Sequence, residues 1–206
     1  MLVVFVRHAQ ALSNVLKILS DDYDQYPLTE EGVRQAEKVG EELRKLEPQA
    51  IFTSPVLRAR QTAEIIGNKL GLQPIVDERL RERGLGELKG KKVEENSEHW
   101  KLRLMRGLGG VKGLESWESM QARMLGFIDE VRARGFSRVV AVSHYDPIRS
   151  VIGYVCGLSD FQSWGIMVPN ASITLLEVEA GLKVLGVGLP VLPNEVVKLL
   201  REKVNA

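Results

Sequence analysis

Arg7 and His8 close an apolar run, Leu2-Val3-Val4-Phe5-Val6, and His144 follows a second one, Val139-Val140-Ala141-Val142. The chain has three histidines, so two of them share one kind of placement. Such runs, rich in β-branched residues, read as strands buried on both faces of a parallel sheet. Ligands of these sheets lie beyond the carboxyl ends of the strands. Taken alone, Arg7-His8 also reads as a solvated strand-to-loop turn. A second strand ending in histidine makes a constellation of it.

Arginines stand at matching places: Arg7 beside the first histidine, Arg58 early in a helix that follows a strand, and Arg83 on an irregular loop. Guanidinium groups recognise phosphate or carboxylate through planar, paired hydrogen bonds. Two imidazoles among arginine forks therefore suit a dianionic phosphoryl group. A neutral imidazole can take up a phosphoryl group and release it to water, dividing one hard step into two. Cations stabilise the charge on the equatorial oxygens. A carboxylic acid must protonate the leaving oxygen, and Glu82 is the candidate. Metal binding is the competing reading of a histidine pair. It is weakened because the arginines would repel a cation and no Cys or carboxylate cluster completes a ligand set.

The elements that must hold these residues alternate between strand and helix. Thr29 can cap a helix whose apolar stripe runs through Val33, Ala36, Val39, Leu43 and Leu46 until Pro48 ends it. Residues 50–53 form a short strand. Ser54 and Pro55 then suggest a cap and first position for a helix closed by Gly71. Ile75, Val76 and Leu80 suggest short edge structure. Residues from Glu115 to Arg134 make a further helix, with Trp117, Met120, Met124, Phe127 and Val131 read as core. Asp146 and Pro147 suggest the cap and first position of the helix after His144. Ser172 to Val178 and Leu182 to Val187 resemble a hairpin turning at Ala180-Gly181, and Asn194 to Val204 a terminal helix.

Between Gln73 and Gly113 the regular alternation lapses. The excursion at about 91–113, basic and locally amphipathic around Trp100, reads either as an inserted helical flap over the site or as a plain solvated connection. No repeat or interdomain linker is visible, so the expected organisation is one domain over 1–206. The expected fold is a three-layer α/β/α sandwich with a mostly parallel central sheet.

A formal net charge of +1 gives no global field for nucleic acid or a membrane surface, so anion binding must be local. The lone Cys156 excludes an internal disulfide and fits a reducing compartment; its apolar neighbours suggest a buried structural thiol. No stretch reads as a signal peptide or a membrane span, which gives a cytoplasmic expectation. Apolar surface on a helix or the hairpin could support a homodimer.

The motifs resemble those of the histidine phosphatase superfamily, which includes the cofactor-dependent phosphoglycerate mutases. Arg7-His8-Ala9-Gln10 with Asn14 is similar to its signature, and residues 27–36 (PLTEEGVRQA) to its PLTxxGxxQA helix opening. Residues 54–63 (SPVLRARQTA) are similar to the segment bearing the second phosphate-binding arginine. Leu80-Arg81-Glu82 with residues 86–90 resembles the acid-bearing loop, Val142-Ser143-His144 the second-histidine segment, and Asn170-Ala171-Ser172 the late NAS turn. The resemblance implies that His8 is phosphorylated, that Arg7, Arg58 and His144 hold the phosphoryl oxygens, and that Glu82 donates the proton. Asn14 and the backbone after His144 would complete the pocket. Apart from the resemblance, Arg83 by its place on the loop and Tyr145 by its place beside His144 are further candidate substrate contacts. No metal or cofactor is implied.

Two departures stand out. Ala9 replaces the usual Gly after the nucleophile, and Tyr145-Asp146 replaces a common Gly-Gly, bringing bulk and negative charge to the pocket. Mutases of the family resemble longer chains with an Asn-Glu-Arg loop and a Trp soon after the nucleophile. Here Leu12 and Ser13 stand where that Trp is expected, and Arg81 precedes Glu82-Arg83. Compactness then favours a metal-independent phosphomonoesterase acting on a small organic phosphate. A phosphoglycerate mutase is the alternative, and a non-catalytic binder of phosphorylated ligands a third reading.

Overall fold

The computed structural model describes residues 1–93 and 110–204. Its centre is a six-stranded sheet: β1 (Leu2–Arg7), β2 (Ala50–Thr53), β3 (Pro74–Val76), β4 (Arg138–Ser143), β5 (Ile173–Val178) and β6 (Leu182–Leu189), in the order β3-β2-β4-β1-β5-β6. The first four in that order run parallel, while β5 and β6 form the expected hairpin, antiparallel along the β1 edge. The sheet is thus mostly parallel, as the unbroken apolar runs imply.

Helices cover both faces. Val4 and Val6 of β1 face one layer with α2 (Glu30–Arg44) and α3 (Leu57–Leu70), through Val39, Leu43, Ala63 and Ile66. Val3 and Phe5 face the other, with α4 (Trp117–Ala133) and α5 (Tyr145–Cys156), through Met124, Phe127, Ile148 and Val151. The alternation of β1 side chains between two buried layers is the two-residue strand period with apolar residues on both phases. The terminal α6 (Asn194–Val204) joins the first layer through Val197 and Leu200. The short α1 (Leu12–Val15) follows the first histidine. No helix among the described residues is long and apolar enough to cross a membrane.

Register places the chemistry. In the β1–β4 pairing Arg7 stands opposite Ser143, so His8 and His144 each follow the last paired residue of their strand. Thr53 of β2 stands opposite Val142, which brings Ser54 level with Ser143, one residue short of the histidines. The sheet therefore ends three neighbouring strands along one line.

Several expected boundaries move. Helix α3 begins at Leu57, with Val56 at the cap position, not at Ser54-Pro55. Helix α5 begins at Tyr145 with His144 at the cap position, so Pro147 lies inside the first turn and Asp146 is not the cap. In both places the polar side chain has a tertiary partner instead of a helix end: Ser54 meets His144, and Asp146 pairs with Arg149 and Arg83. Cys156, expected to be buried, is exposed at the last residue of α5. Most of the expected flap, residues 94–109, lies outside the described residues. The two sides of that excursion are tied down where Lys92 bridges Ile18 and Leu114 bridges Leu85.

Thr29 caps α2 as expected, its hydroxyl accepting from Gly32 N at 3.0 Å. The first turn of α2 also receives the chain leaving the first histidine: Thr29 N donates to Gln10 O at 3.0 Å, and Gln10 N to Gln35 Oε1 at 3.0 Å. A Cβ on Gly32 would stand 2.0 Å from Gln10 O, so only glycine allows this approach. At an open helical position Gly→Ala raises stability. Gly32→Ala is expected instead to cost about 1–3 kcal/mol in urea unfolding, as overpacking does; equal or greater stability would contradict the close contact.

Candidate active site

Backbone hydrogen bonds immobilise the turn that follows β1. His8 N donates to Ser143 O at 2.9 Å, and Arg7 N to Ser172 O at 3.2 Å. Asn170 Nδ2 donates to His8 O at 3.0 Å, and Ala171 N to Arg7 O at 3.0 Å. Ala171 adopts a left-handed φ of 53° to do so, a conformation uncommon outside glycine and asparagine. Ala9 N donates to Thr62 Oγ1 at 3.0 Å, and the Thr62 hydroxyl donates to Arg58 O at 2.7 Å, joining the His8 turn to α3.

His8 is fully enclosed, and its Nδ1 lies 2.8 Å from Ala9 O. A carbonyl can only accept, so Nδ1 carries the proton and Nε2 keeps its lone pair. Arg58 Nε donates to that Nε2 at 3.2 Å. Burial, then the Arg58 and Arg7 guanidiniums, hold His8 well below the ordinary histidine range, so the ring is a neutral base.

The His144 ring centre lies 5.1 Å from that of His8. Its Nε2 is 2.7 Å from Ser54 Oγ, which itself accepts from Val56 N at 3.2 Å. With the Ser54 hydroxyl donating, the proton of a neutral His144 resides on Nδ1. Burial and then Arg58 hold His144 well below its ordinary range as well. Glu82 faces this pair from the loop after the single turn at Glu78–Leu80, its Oε2 3.6 Å from both Arg58 Nη2 and His144 Nδ1. Arg83 N donates to Glu82 Oε1 at 2.9 Å. Burial pushes the Glu82 carboxyl up to about 7, against the pull of Arg58.

The two arginines are only partly satisfied. Arg7 Nη1 donates to Val168 O at 2.7 Å and Arg58 Nη2 to Ser20 O at 2.9 Å. Arg7 Nε, Arg58 Nη1 and His144 Nδ1 are buried without a hydrogen-bond partner. Buried donors are rarely left so. These three belong to residues touching or flanking His8 and Glu82, and they suit a compact anion with several acceptor oxygens. A neutral imidazole lone pair, unpaired cationic donors and a carboxyl that holds its proton near neutrality together equip the site for phosphoryl transfer through nitrogen.

A model of the histidine phosphatase superfamily (branch 1) matches residues 3–187. The chain belongs to this superfamily. A 2,3-bisphosphoglycerate-dependent phosphoglycerate mutase from Thermoplasma acidophilum is 34% identical over 206 residues, covering 96% of either chain. Among solved structures, a mycobacterial glucosyl-3-phosphoglycerate phosphatase complexed with VO3 has a TM-score of 0.80 at 26% identity, over 91% of this chain and 99% of its own. Phosphoserine phosphatase from Entamoeba histolytica, in complex with 3-phosphoglyceric acid, shares the fold, with a TM-score of 0.78 at 19% identity over 95% and 98% of the two chains. The protein is thus a histidine phosphatase superfamily enzyme, of phosphatase or mutase type.

Of the eight residues singled out in the sequence, this superfamily site brings together Arg7, His8, Arg58, Glu82 and His144. Asn14 stands alongside, its Oδ1 accepting from Ala11 N at 2.9 Å and from Asn170 Nδ2 at 3.3 Å, and so braces the turn. Tyr145 lies with its ring 5.0 Å from the Arg7 guanidinium, its hydroxyl donating to Ile166 O at 3.0 Å. Arg83 is matched inside the protein, Nη1 lying 2.9 Å from Asp160 and 3.6 Å from Asp146, with Nε donating to Glu115 O. The negative charge expected from Asp146 is likewise engaged, by Arg149 Nη2 at 2.7 Å.

Sequence reasoning missed Ser54 and Thr62 as parts of the site. Ser54-Pro55 resembles a helix start so closely that the hydroxyl was assigned to the backbone. Thr62 could have been found: it follows Arg58 by one helical turn, on the buried face of α3. Thr62→Val keeps the shape but leaves Ala9 N buried without an acceptor. It is expected to lower unfolding free energy by about 1–3 kcal/mol and to reduce catalysis; urea unfolding and turnover unchanged from the parent would refute that role.

Proposed function

We propose that the protein is a metal-independent phosphomonoesterase that hydrolyses a small organic phosphate through a phosphohistidine on His8. The observation that carries this reading is geometric: the Arg58 guanidinium meets the His8 Nε2 lone pair through Nε at 3.2 Å and stands 3.6 Å from the Glu82 carboxylate oxygen through Nη2, so nucleophile, cation and acid share one enclosed place. Burial there favours a neutral His8 and pushes the Glu82 carboxyl up to about 7. In the first step the Nε2 lone pair attacks phosphorus, the P–O bond to the alcohol breaks, and Glu82 gives its proton to the leaving oxygen. In the second, Glu82 as carboxylate takes a proton from water as that water attacks phosphorus and the P–N bond breaks. Phosphate leaves, His8 is again neutral, and Glu82 again holds a proton. Arg7, Arg58 and His144 hold the phosphoryl oxygens with their unpaired donors, Asn14 keeps the turn in shape, and Tyr145 orients Arg7. Because Arg83 is neutralised internally, Arg7 and Arg58 carry most of the anion binding. Cationic donors supply the stabilisation that a metal would otherwise give, so chelator leaves turnover unchanged.

A second reading, phosphoglycerate mutase, draws on the Thermoplasma acidophilum mutase, which matches this chain nearly end to end. The chemistry on His8 is common to both; they differ in whether water or a second hydroxyl takes the phosphoryl group. Incubation with 3-phosphoglycerate and a trace of 2,3-bisphosphoglycerate, in chelator, separates them. Phosphate release without 2-phosphoglycerate is expected, whereas rapid isomerisation with little release would make the protein a mutase.

Glu82 must be protonated for the first step, so kcat/KM for phenyl phosphate is expected to fall as pH rises through about 7, toward tenfold per unit. His8 is neutral across this range and adds no loss there. Glu82→Gln should abolish this alkaline limb and lower the rate by about 100-fold or more. A Glu82→Gln profile that retains the limb would remove Glu82 from the role. His8→Ala should leave no acid-labile phosphoprotein after a quench with radiolabelled substrate; persistent labelling would place the nucleophile elsewhere.

A further inference from the structure

A buried ion pair away from the reacting groups, Glu115 with Arg123, spends nearly every polar atom it has on the loop that carries Glu82. Both side chains are 9% exposed. Arg123 Nε donates to Glu115 Oε1 at 2.8 Å and Nη2 to Oε2 at 2.9 Å, a two-pronged pairing of guanidinium and carboxylate. The remaining arginine donors go to consecutive stretches of the loop backbone: Nη1 to Arg79 O at 2.5 Å and to Arg81 O at 2.8 Å, Nη2 to Glu82 O at 3.2 Å. Glu115 Oε2 accepts from Gly84 N at 3.1 Å on the far side of Glu82, and Oε1 from Arg81 Nη2 at 3.2 Å.

Residues 81–84 have no regular secondary structure to hold them. A loop of this kind normally takes up several conformations unless its polar groups are engaged. Here carbonyls before and at Glu82, and the amide two residues after it, are fixed to one rigid pair anchored on α4. A buried ion pair offsets its desolvation only when further hydrogen bonds complete it, and these backbone groups do so. Positive and negative charge are balanced within the pair, so its effect on Glu82 is geometric more than electrostatic.

We propose that Glu115 and Arg123 are positioning residues for the reaction, setting the Glu82 carboxyl at proton-transfer distance from the leaving oxygen. The proposal rests on the reading of Glu82 as proton donor. It predicts a defect that depends on the leaving group: an acidic phenol departs without help, whereas a weakly acidic one needs a well-placed proton. A merely structural defect lowers the folded fraction and scales both substrates equally.

The test compares kcat/KM for p-nitrophenyl phosphate and phenyl phosphate, two probes of similar shape, in the full-length parent, Arg123→Met, Arg123→Lys, Glu115→Gln and Glu82→Gln. The ratio of the two is expected to rise at least about tenfold in Arg123→Met and in Glu115→Gln, with partial recovery in Arg123→Lys, and most of all in Glu82→Gln. Since the ratio is independent of folded fraction, Glu115→Gln and Arg123→Lys decide the matter if Arg123→Met does not fold. Equal losses on both substrates in those variants, with the ratio raised in Glu82→Gln, would overturn the positioning role alone. An unchanged ratio in Glu82→Gln would overturn the assignment of Glu82 itself, and the positioning role with it.

Discussion

Everything in the site depends on holding two guanidinium groups in a buried place with one carboxyl in reach. Burying an ionised group is costly unless hydrogen bonds or opposite charge replace its water. Arg7 and Arg58 are partly compensated by the carbonyls of Val168 and Ser20 and by Glu82 at 3.6 Å from Arg58. The compensation is incomplete, as the unpaired Arg7 Nε and Arg58 Nη1 show. Burial, reinforced by that residual positive potential, keeps both imidazoles neutral, and the potential makes an anion with several oxygens a favourable occupant. The chain gives up stability there and gains affinity, a common trade at sites built for chemistry.

The fold was largely legible because its dominant signal is strong. Strands apolar on both phases, such as Val3 to Val6 and Val139 to Val142, have few homes other than the middle of a covered sheet. Their sudden end in histidine pointed to the site, and parallel register then brought His8 and His144 together. What was illegible lay in competition between local and tertiary partners. Ser54 and Asp146 both precede proline, and by local rules each should cap a helix. In the folded protein His144 recruits the Ser54 hydroxyl, and Arg149 and Arg83 recruit Asp146. The exposure of Cys156 has a different origin: the buried residues of α5 end at Gly153, and in the closing turn Val155 faces the core while Tyr154 and Cys156 face outward.

Compactness does not separate phosphatase from mutase. The Thermoplasma acidophilum mutase aligns over 96% of its own length with 96% of this chain, so the two are of comparable size. The physical distinction is the lifetime of a phosphohistidine against water, which depends on how completely the pocket closes over its second ligand. Hydrolysis needs only one ordered water beside Glu82, whose side chain retains 15% exposure. Re-transfer needs that same space filled by the free hydroxyl of a monophosphorylated acceptor, which leaves as the bisphosphorylated product.

On the proposed mechanism either outcome asks Glu82 to give up a proton in one step and recover it in the next, which demands a proton affinity near the working pH. Two opposed influences supply it. Burial and the nearby Asp146 charge raise the affinity, while Arg58, Arg7 and the Arg83 amide lower it. A balance of that kind is sensitive to distance, because each charge acts across a few ångströms of low-dielectric interior. A carboxyl free to swing toward either arginine would ionise and lose its use as an acid. A carboxyl swung away from both would hold its proton too tightly to act as a base. A fixed loop is therefore as much a condition of the chemistry as the carboxyl itself, and Arg123, bonded to the carbonyl of Glu82 and to two before it, is placed to provide one.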